Sequence, residues 1–425
     1  MENVSIQKQD EQWSVEKTSE SYGQGFKTDS PRIYYLDNLK VFLTILVVLH
    51  HTAITYGASG SWNYKASYFE GLYDPLTSIL LTIVTAINSS FFMAAFFLLS
   101  GYFTPGSYDR KELLLYLKDR FIRLGIPMLC YAFFLVPFLA YYMNVTLFDA
   151  EYSFLEFYSW LLKEGIIIGV GPLWFVQALL IFAICYTIWR GISRKILPQR
   201  FKTIFDSQGH HEGEFPRSQQ IFVIIALVGL LTFLVRIFIP SDKSIIIISP
   251  IIFSLPLGDF VSYISMFILG IIAYRQDWFS KITESHGKFW LKVVLGSIIF
   301  LLVYISLTGA FEGEISVYQG GFRWESLLGS FWLSIMCFGV CISLIPIFRG
   351  KLNSQSPLPR ILSQNAYTVY IIHAPVLIVT SISLSDIILH PFIKFIFVLC
   401  ITLILCFGLS HFVFRRIPGV KRVVN

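Results

Sequence analysis

Ten stretches of this chain stay apolar for about twenty residues each, the length a helix needs to cross the hydrocarbon of a bilayer. They fall near 33–56, 79–103, 124–146, 172–190, 219–239, 256–274, 290–308, 326–347, 364–384 and 391–414. The turn formers Gly171-Pro172 and Pro256-Leu257-Gly258 break the edges of the fourth and sixth. Residues 1–30 are rich in Glu, Lys, Ser and Gln and predict a disordered tail rather than a cleavable leader, so the first stretch is expected to be an uncleaved span. Residues 416–425 read as a short basic tail. The pattern predicts an all-α, polytopic integral membrane protein of about ten transmembrane helices within 31–415.

Composition agrees. Of the 425 residues, 55% are hydrophobic and only 14% charged, against about 25% charged in ordinary soluble domains. Charge adds a direction. With the N-terminus inside, five Lys/Arg from Arg110 to Arg123, six from Arg190 to Arg217, four from Arg275 to Lys292, three from Arg349 to Arg360 and four from Arg415 to Arg422 face the cytoplasm. Those twenty-two stand against four in the opposite loops, Lys65, Lys163, Lys243 and Arg323. The positive-inside rule then predicts both ends in the cytoplasm. The net charge of +6 is thereby explained without nucleic acid.

Six cysteines lie singly within apolar stretches, and even Cys337 and Cys341 have no further metal ligand beside them. Buried apolar thiols are expected, with no metal. The outer loops carry Trp62, Tyr64, Tyr68, Tyr152, Tyr158, Trp160, Tyr318 and Trp324 among Glu70, Asp74, Asp149, Glu151, Glu312 and Glu314. Aromatics beside carboxylates can bind sugars, and they equally form interfacial belts.

Titratable groups inside a span cost about 2.5–3.5 kcal/mol each on insertion and usually serve a function. The first span is the densest, with Asp37, Lys40, His50 and His51. Asp37 and Lys40 are three apart and can pair across a turn. His51 comes eleven positions after Lys40, close to whole turns, so the two share a face about 16 Å apart along the axis. His50 points about 100° away. This places a titratable imidazole, suited to taking a proton from a hydroxyl, on the same side as a cation. Histidines satisfied across helices, with Lys40 reaching to the surface, fit the spacing too. On the ninth span Tyr367, Tyr370 and His373 form a polar stripe ahead of Pro375. Arg120 and Arg123, three apart, can grip phosphates or simply anchor the inner face.

Together these pieces resemble the membrane-bound acyltransferase 3 family, the O-acyltransferases of surface glycans. The likeness rests on Leu36-Asp37, on Lys40 followed eleven residues later by His51, and on Phe97-Leu98-Leu99-Ser100-Gly101-Tyr102. Arg120-Phe-Ile-Arg123-Leu with Pro127, Gly171-Pro-Leu-Trp174-Phe, and Tyr367, Tyr370, His373 and Pro375 extend it along nearly the whole membrane region. Within the family, Asp37-Asn-Leu-Lys-Val and His50-His-Thr-Ala-Ile-Thr-Tyr-Gly57 look most similar to the branch containing the glucan succinyltransferase. The resemblance implies an acyl-CoA donor (acetyl-CoA or succinyl-CoA) bound from the cytoplasm, no metal, and a carbohydrate or other hydroxyl acceptor outside. It implies His51 as general base, with His373, Tyr370 and Asp37 completing the catalytic group. Lys40, in place of the family's usual arginine, would hold the donor with Arg120, Arg123 and Ser100. Trp174 and His50 would meet the acceptor. The chain lacks the extra extracytoplasmic domain of some members, so a separate partner protein is one expectation.

The expected location is a bacterial plasma membrane. A glycan exporter of the same fold is the rival reading, and Arg236 and Lys394, in the fifth and tenth spans, would suit its polar path. For a transferase, Arg236 is a candidate to meet the far carboxylate of a succinyl donor.

Overall fold

The computed structural model describes residues 32–111, 113–165, 169–196, 213–241, 245–246, 254–308, 318–354, 356–420 and 423. The expected tail 1–30, residues 197–212 of the basic stretch Arg190–Arg217, Lys243, the acids Glu312 and Glu314, and Lys421 and Arg422 of the basic C-terminal tail lie outside the described residues. All ten apolar stretches are helical and long and apolar enough to cross a membrane. The first crossing is α1, Tyr34–Thr55. The second is α2, Pro75–Ser89, running into α3, Phe92–Asp109. The third is α4, Leu113–Phe148. A surface helix, α5, Phe154–Lys163, precedes α6, Trp174–Ile196, and α7, Ser218–Phe238. Then come α8, Phe260–Arg275, α9, Glu284–Thr308, and α10, Trp324–Lys351. The last two are α11, Pro357–Ser383, and α12, Pro391–Phe412. Two residues of β1, Ile245–Ile246, pair antiparallel with β2, Ser254–Leu255. The protein is an all-α, polytopic membrane protein with one end of the bundle, the near end, where α1 begins, and a far end where it finishes.

Local chemistry sets the irregularities. Asp74 caps α2 ahead of Pro75, accepting from the Thr77 amide at 2.7 Å and its hydroxyl at 2.6 Å, which starts the second crossing earlier than its apolar run. Those two bonds, the hydroxyl's first, hold the Asp74 carboxyl below the usual carboxylate range. The break between α2 and α3 falls at Ser89 and Ser90, whose hydroxyls bond back to the Ala86 and Ile87 carbonyls at 3.0 and 2.6 Å. Two π-turns, Phe121–Gly125 and Tyr131–Leu135, interrupt α4 just before Pro127 and Pro137. Each proline lacks the N–H that would bond the carbonyl four residues back. The freed Arg123 carbonyl accepts the Tyr367 hydroxyl at 2.6 Å, and the freed Phe133 carbonyl accepts that of Tyr158 at 3.1 Å.

The tightest crossing joins α3 and α8. Gly101 meets the Phe267 carbonyl, and Gly270 meets the Leu98 carbonyl and the Tyr102 amide, so closely that a Cβ at either position would overlap backbone. Small residues bring helix backbones together where lipid offers no hydrophobic drive. The glycine of the Phe97–Tyr102 motif is therefore a packing residue. The outward faces are apolar, as at Leu227, Leu231, Ile299, Phe300 and Val303. Cys337, Cys341 and Cys406 are buried as expected, but Cys130, Cys185 and Cys400 lie on the exposed surface of the bundle. An apolar stretch does not say which of its faces turns inward.

Candidate functional site

α1 runs through the middle of the bundle against α11, α12, α2, α10 and α3. The contact with α11 brings two residues 322 apart together: His51 Nδ1 lies 3.1 Å from His373 Nε2. His373 is fully buried, and its Nδ1 sits 2.5 Å from the Tyr370 carbonyl, to which only an N–H can donate. Its Nε2 is then the acceptor of a neutral ring. His51 Nδ1 therefore carries the proton, shared between His373 Nε2 and the Val47 carbonyl at 3.0 Å. The hydrogen-bond network thus assigns the tautomer. The lone pair of His51 is left on Nε2, which no described residue hydrogen-bonds. Trp62 lies against the imidazole with ring centroids 4.2 Å apart.

The stripe on α11 ties three elements together. Tyr367 holds the freed carbonyl of Arg123 on α4, and Tyr370 donates its hydroxyl to the Pro172 carbonyl, while His373 holds His51. Tyr370 thereby fixes the turn carrying Trp174, whose ring packs with Phe97, Phe260 and Tyr263. Its hydroxyl is engaged there rather than aimed at the imidazole pair.

A cavity of about 460 Å³ opens beside His51, in the size range of small-molecule sites. His50 lines it too, stacked on Phe92 at 5.2 Å, so both histidines face one space although the helix turns them apart. Trp174 and Tyr370 share the lining. Toward the far end the wall carries Arg236 and Asp259, whose Nη2 and Oδ1 lie 2.5 Å apart. Sequence reasoning missed Asp259 because it adjoins the Pro256-Leu257-Gly258 break. The signal was Arg236 itself, since a cation buried in a span requires an acid.

The near-end residues stand apart from this centre. Lys40 pairs with Asp37 at 3.2 Å and lies 4.0 Å over the Phe103 ring. Asp37 is fourteen residues before His51, roughly 21 Å along the helix, and does not touch it. Arg120 lies over the Tyr116 ring at 5.1 Å, and Arg123 is exposed. Arg120 immediately precedes the π-turn Phe121–Gly125 and Arg123 lies within it. Ser100, one residue before the packing glycine, gives its carbonyl to the Thr104 hydroxyl at 2.8 Å. At the far end residues 57–74 fold over the bundle. Lys394, fully buried, binds Glu70, which accepts the Tyr64 hydroxyl at 2.9 Å. Lys394 is thus explained as an anchor of the segment that sets Trp62 on His51.

Fold and site define a multi-pass membrane protein that buries an imidazole pair beside a ligand-sized cavity, the setting of an intramembrane group-transfer enzyme. Residues 33–411 match the family described as an acyltransferase domain. The chain belongs to that family, as its motifs predicted, and is an acyltransferase. It is similar to the glucans biosynthesis protein C of Salmonella typhimurium strain LT2 and of Salmonella schwarzengrund strain CVM19633. Each is 27% identical over 414 residues, covering 92% of this chain and 97% of the relative. No solved structure matches this chain.

Proposed function

We propose that the protein transfers an acetyl or succinyl group from cytoplasmic acyl-CoA to a hydroxyl of an extracytoplasmic glycan in a bacterial plasma membrane, with His51 as general base. The supporting observation is the His51–His373 contact at 3.1 Å beside a cavity, which leaves His51 Nε2 free to accept a proton. The near end is taken as cytoplasmic, in line with its basic residues. Lys40, Arg120, Arg123 and Ser100 would receive the coenzyme there. A pantetheine arm of roughly 15–20 Å matches the roughly 16 Å rise from Lys40 to His51.

The acceptor O–H gives its proton to His51 Nε2 as the oxygen attacks the thioester carbonyl. The C–O bond forms, the C–S bond breaks, and the coenzyme thiolate takes the proton back from the imidazolium. His373 holds His51 Nδ1–H throughout and so keeps the basic nitrogen on the cavity side. The glycan class is supported by the relatives, whose names say that they act in glucan biosynthesis.

Purified protein offered acetyl- or succinyl-CoA should release free thiol, and release should rise when a glucose oligomer is added. Movement of the oligomer into vesicles with no thiol release from any donor would instead identify an exporter. The positioning role of His373 has its own signature. His373→Ala should lower kcat on the order of a hundredfold while the acceptor KM moves little, and His373→Gln, which keeps an acceptor oxygen, should recover part of the loss. An undiminished kcat in His373→Ala would remove it from the mechanism.

A further inference from the structure

The proton transfers above use only part of the cavity lining. The same lining holds Arg236 and Asp259, an ion pair with side chains only 7% and 21% exposed, and neither takes part in the chemistry. We propose that this pair, with the aromatic wall beside it, is the subsite that recognises a neutral sugar ring of the acceptor through its hydroxyl groups. The proposal rests on the glycan-acceptor reading and names where that acceptor is held.

Charge selects the ligand class. Asp259 at 2.5 Å already neutralises Arg236, so an anionic group would have to displace it. The far carboxylate of a succinyl donor, the role expected for Arg236 from sequence, is therefore a poor match. A polyhydroxyl compound needs no displacement, since it can donate to the carboxylate and accept from the guanidinium together. Polar capacity is also left over. Arg236 Nε is buried with no hydrogen-bond partner among the described residues, and Nη1 reaches Ser330 Oγ only at 3.5 Å.

The surroundings fit a ring. Tyr263, Trp174 and Tyr318 line the same cavity, and mostly apolar walls with a few convergent polar groups are the usual make-up of a small-molecule site. The backing is fixed rather than loose. The Gly321 amide donates to the Arg236 carbonyl at 3.0 Å, and the Ser241 amide donates to the Gln319 carbonyl at 2.9 Å. A pair kept for stability alone would gain little over apolar side chains of the same size.

The test measures binding of maltohexaose and laminarihexaose to the full chain in detergent, by tryptophan fluorescence without donor, beside thiol release with acetyl- and succinyl-CoA. Asp259→Asn and Arg236→Gln should each weaken oligosaccharide binding at least tenfold and raise the acceptor KM by a similar factor. The double variant Arg236→Met with Asp259→Leu separates recognition from folding. If it elutes as a single monodisperse species and binds no sugar, the subsite stands; if it binds as wild type does, the pair is structural and the proposal is overturned. Variants that raise the donor KM instead also overturn it. Asp259-dependent sugar binding with no thiol release from any donor would sink the transferase reading and leave the subsite intact. Wild-type transfer to the same oligosaccharides with unaltered binding in both single variants would do the reverse.

Discussion

His51→Ala is expected to lower acceptor-dependent thiol release by about 10²–10⁴-fold, the range that a positioned acid–base group contributes. The geometry makes the loss specific. His51 faces the cavity with a lone pair that no described residue hydrogen-bonds, and unlike His50 its ring is held through Nδ1–H by Val47 and His373. His51→Asn sharpens the test. Its amide N–H can still donate to the Val47 carbonyl, so the local fold is retained while the basic nitrogen is gone, and the loss should be as deep as with alanine. Both variants should elute as wild type does in detergent and still bind acyl-CoA, since the proposed donor contacts lie roughly 16 Å away. Full transfer by a stably inserted His51→Ala protein would eliminate the general-base role.

What could be read from the chain divides along a physical line. A bilayer demands about twenty apolar residues per crossing and internally satisfied backbone, so all ten helices are visible as runs. Their ends are less so. The second crossing spans Pro75–Asp109 and the third Leu113–Phe148, well beyond the apolar cores, because the Asp74 cap starts the one early and helix at Leu113–Arg120 precedes the apolar part of the other. Within one helix, spacing orders residues reliably: the Asp37–Lys40 pair and the Tyr367–Tyr370–His373 stripe follow from periodicity. Between helices it is silent. Nothing in the spacing of α1 or α11 places His373 beside His51, or turns His50 toward the same cavity. The cations Arg236 and Lys394 were detectable by their insertion cost, but their partners Asp259 and Glu70 sit at a span edge and in a loop. An acid there costs little before folding and gives no signal.

Lys394→Met should be the most destabilising of the substitutions considered, by about 3–5 kcal/mol, because it leaves the Glu70 carboxylate buried without its cation. The two side chains are 1% and 2% exposed, so solvent cannot compensate. Among the described residues Glu70 would keep only the Tyr64 hydroxyl, at 2.9 Å. The consequence should reach the site. Residues 57–74 are held to the bundle by this pair, by the Ser59 amide on Thr82 Oγ1 at 2.9 Å and by Ser78 Oγ on the Gly57 carbonyl at 2.7 Å. Loosening the segment removes Trp62 from the His51 ring, which it approaches to 4.2 Å between centroids. Thermal unfolding in detergent should therefore shift downward, and a protease should cut within 57–74 sooner than in wild type. Adding Glu70→Leu removes the uncompensated charge and should recover most of the lost stability, as replacing both members of a buried pair commonly does. Thiol release then reports on the anchor itself. If the double variant regains both stability and transfer, the pair serves only to seat the segment. If stability returns while transfer stays low, the exact seating of Trp62 on the imidazole is part of what makes His51 an effective base. A Lys394→Met protein as stable as wild type would contradict the anchoring role altogether.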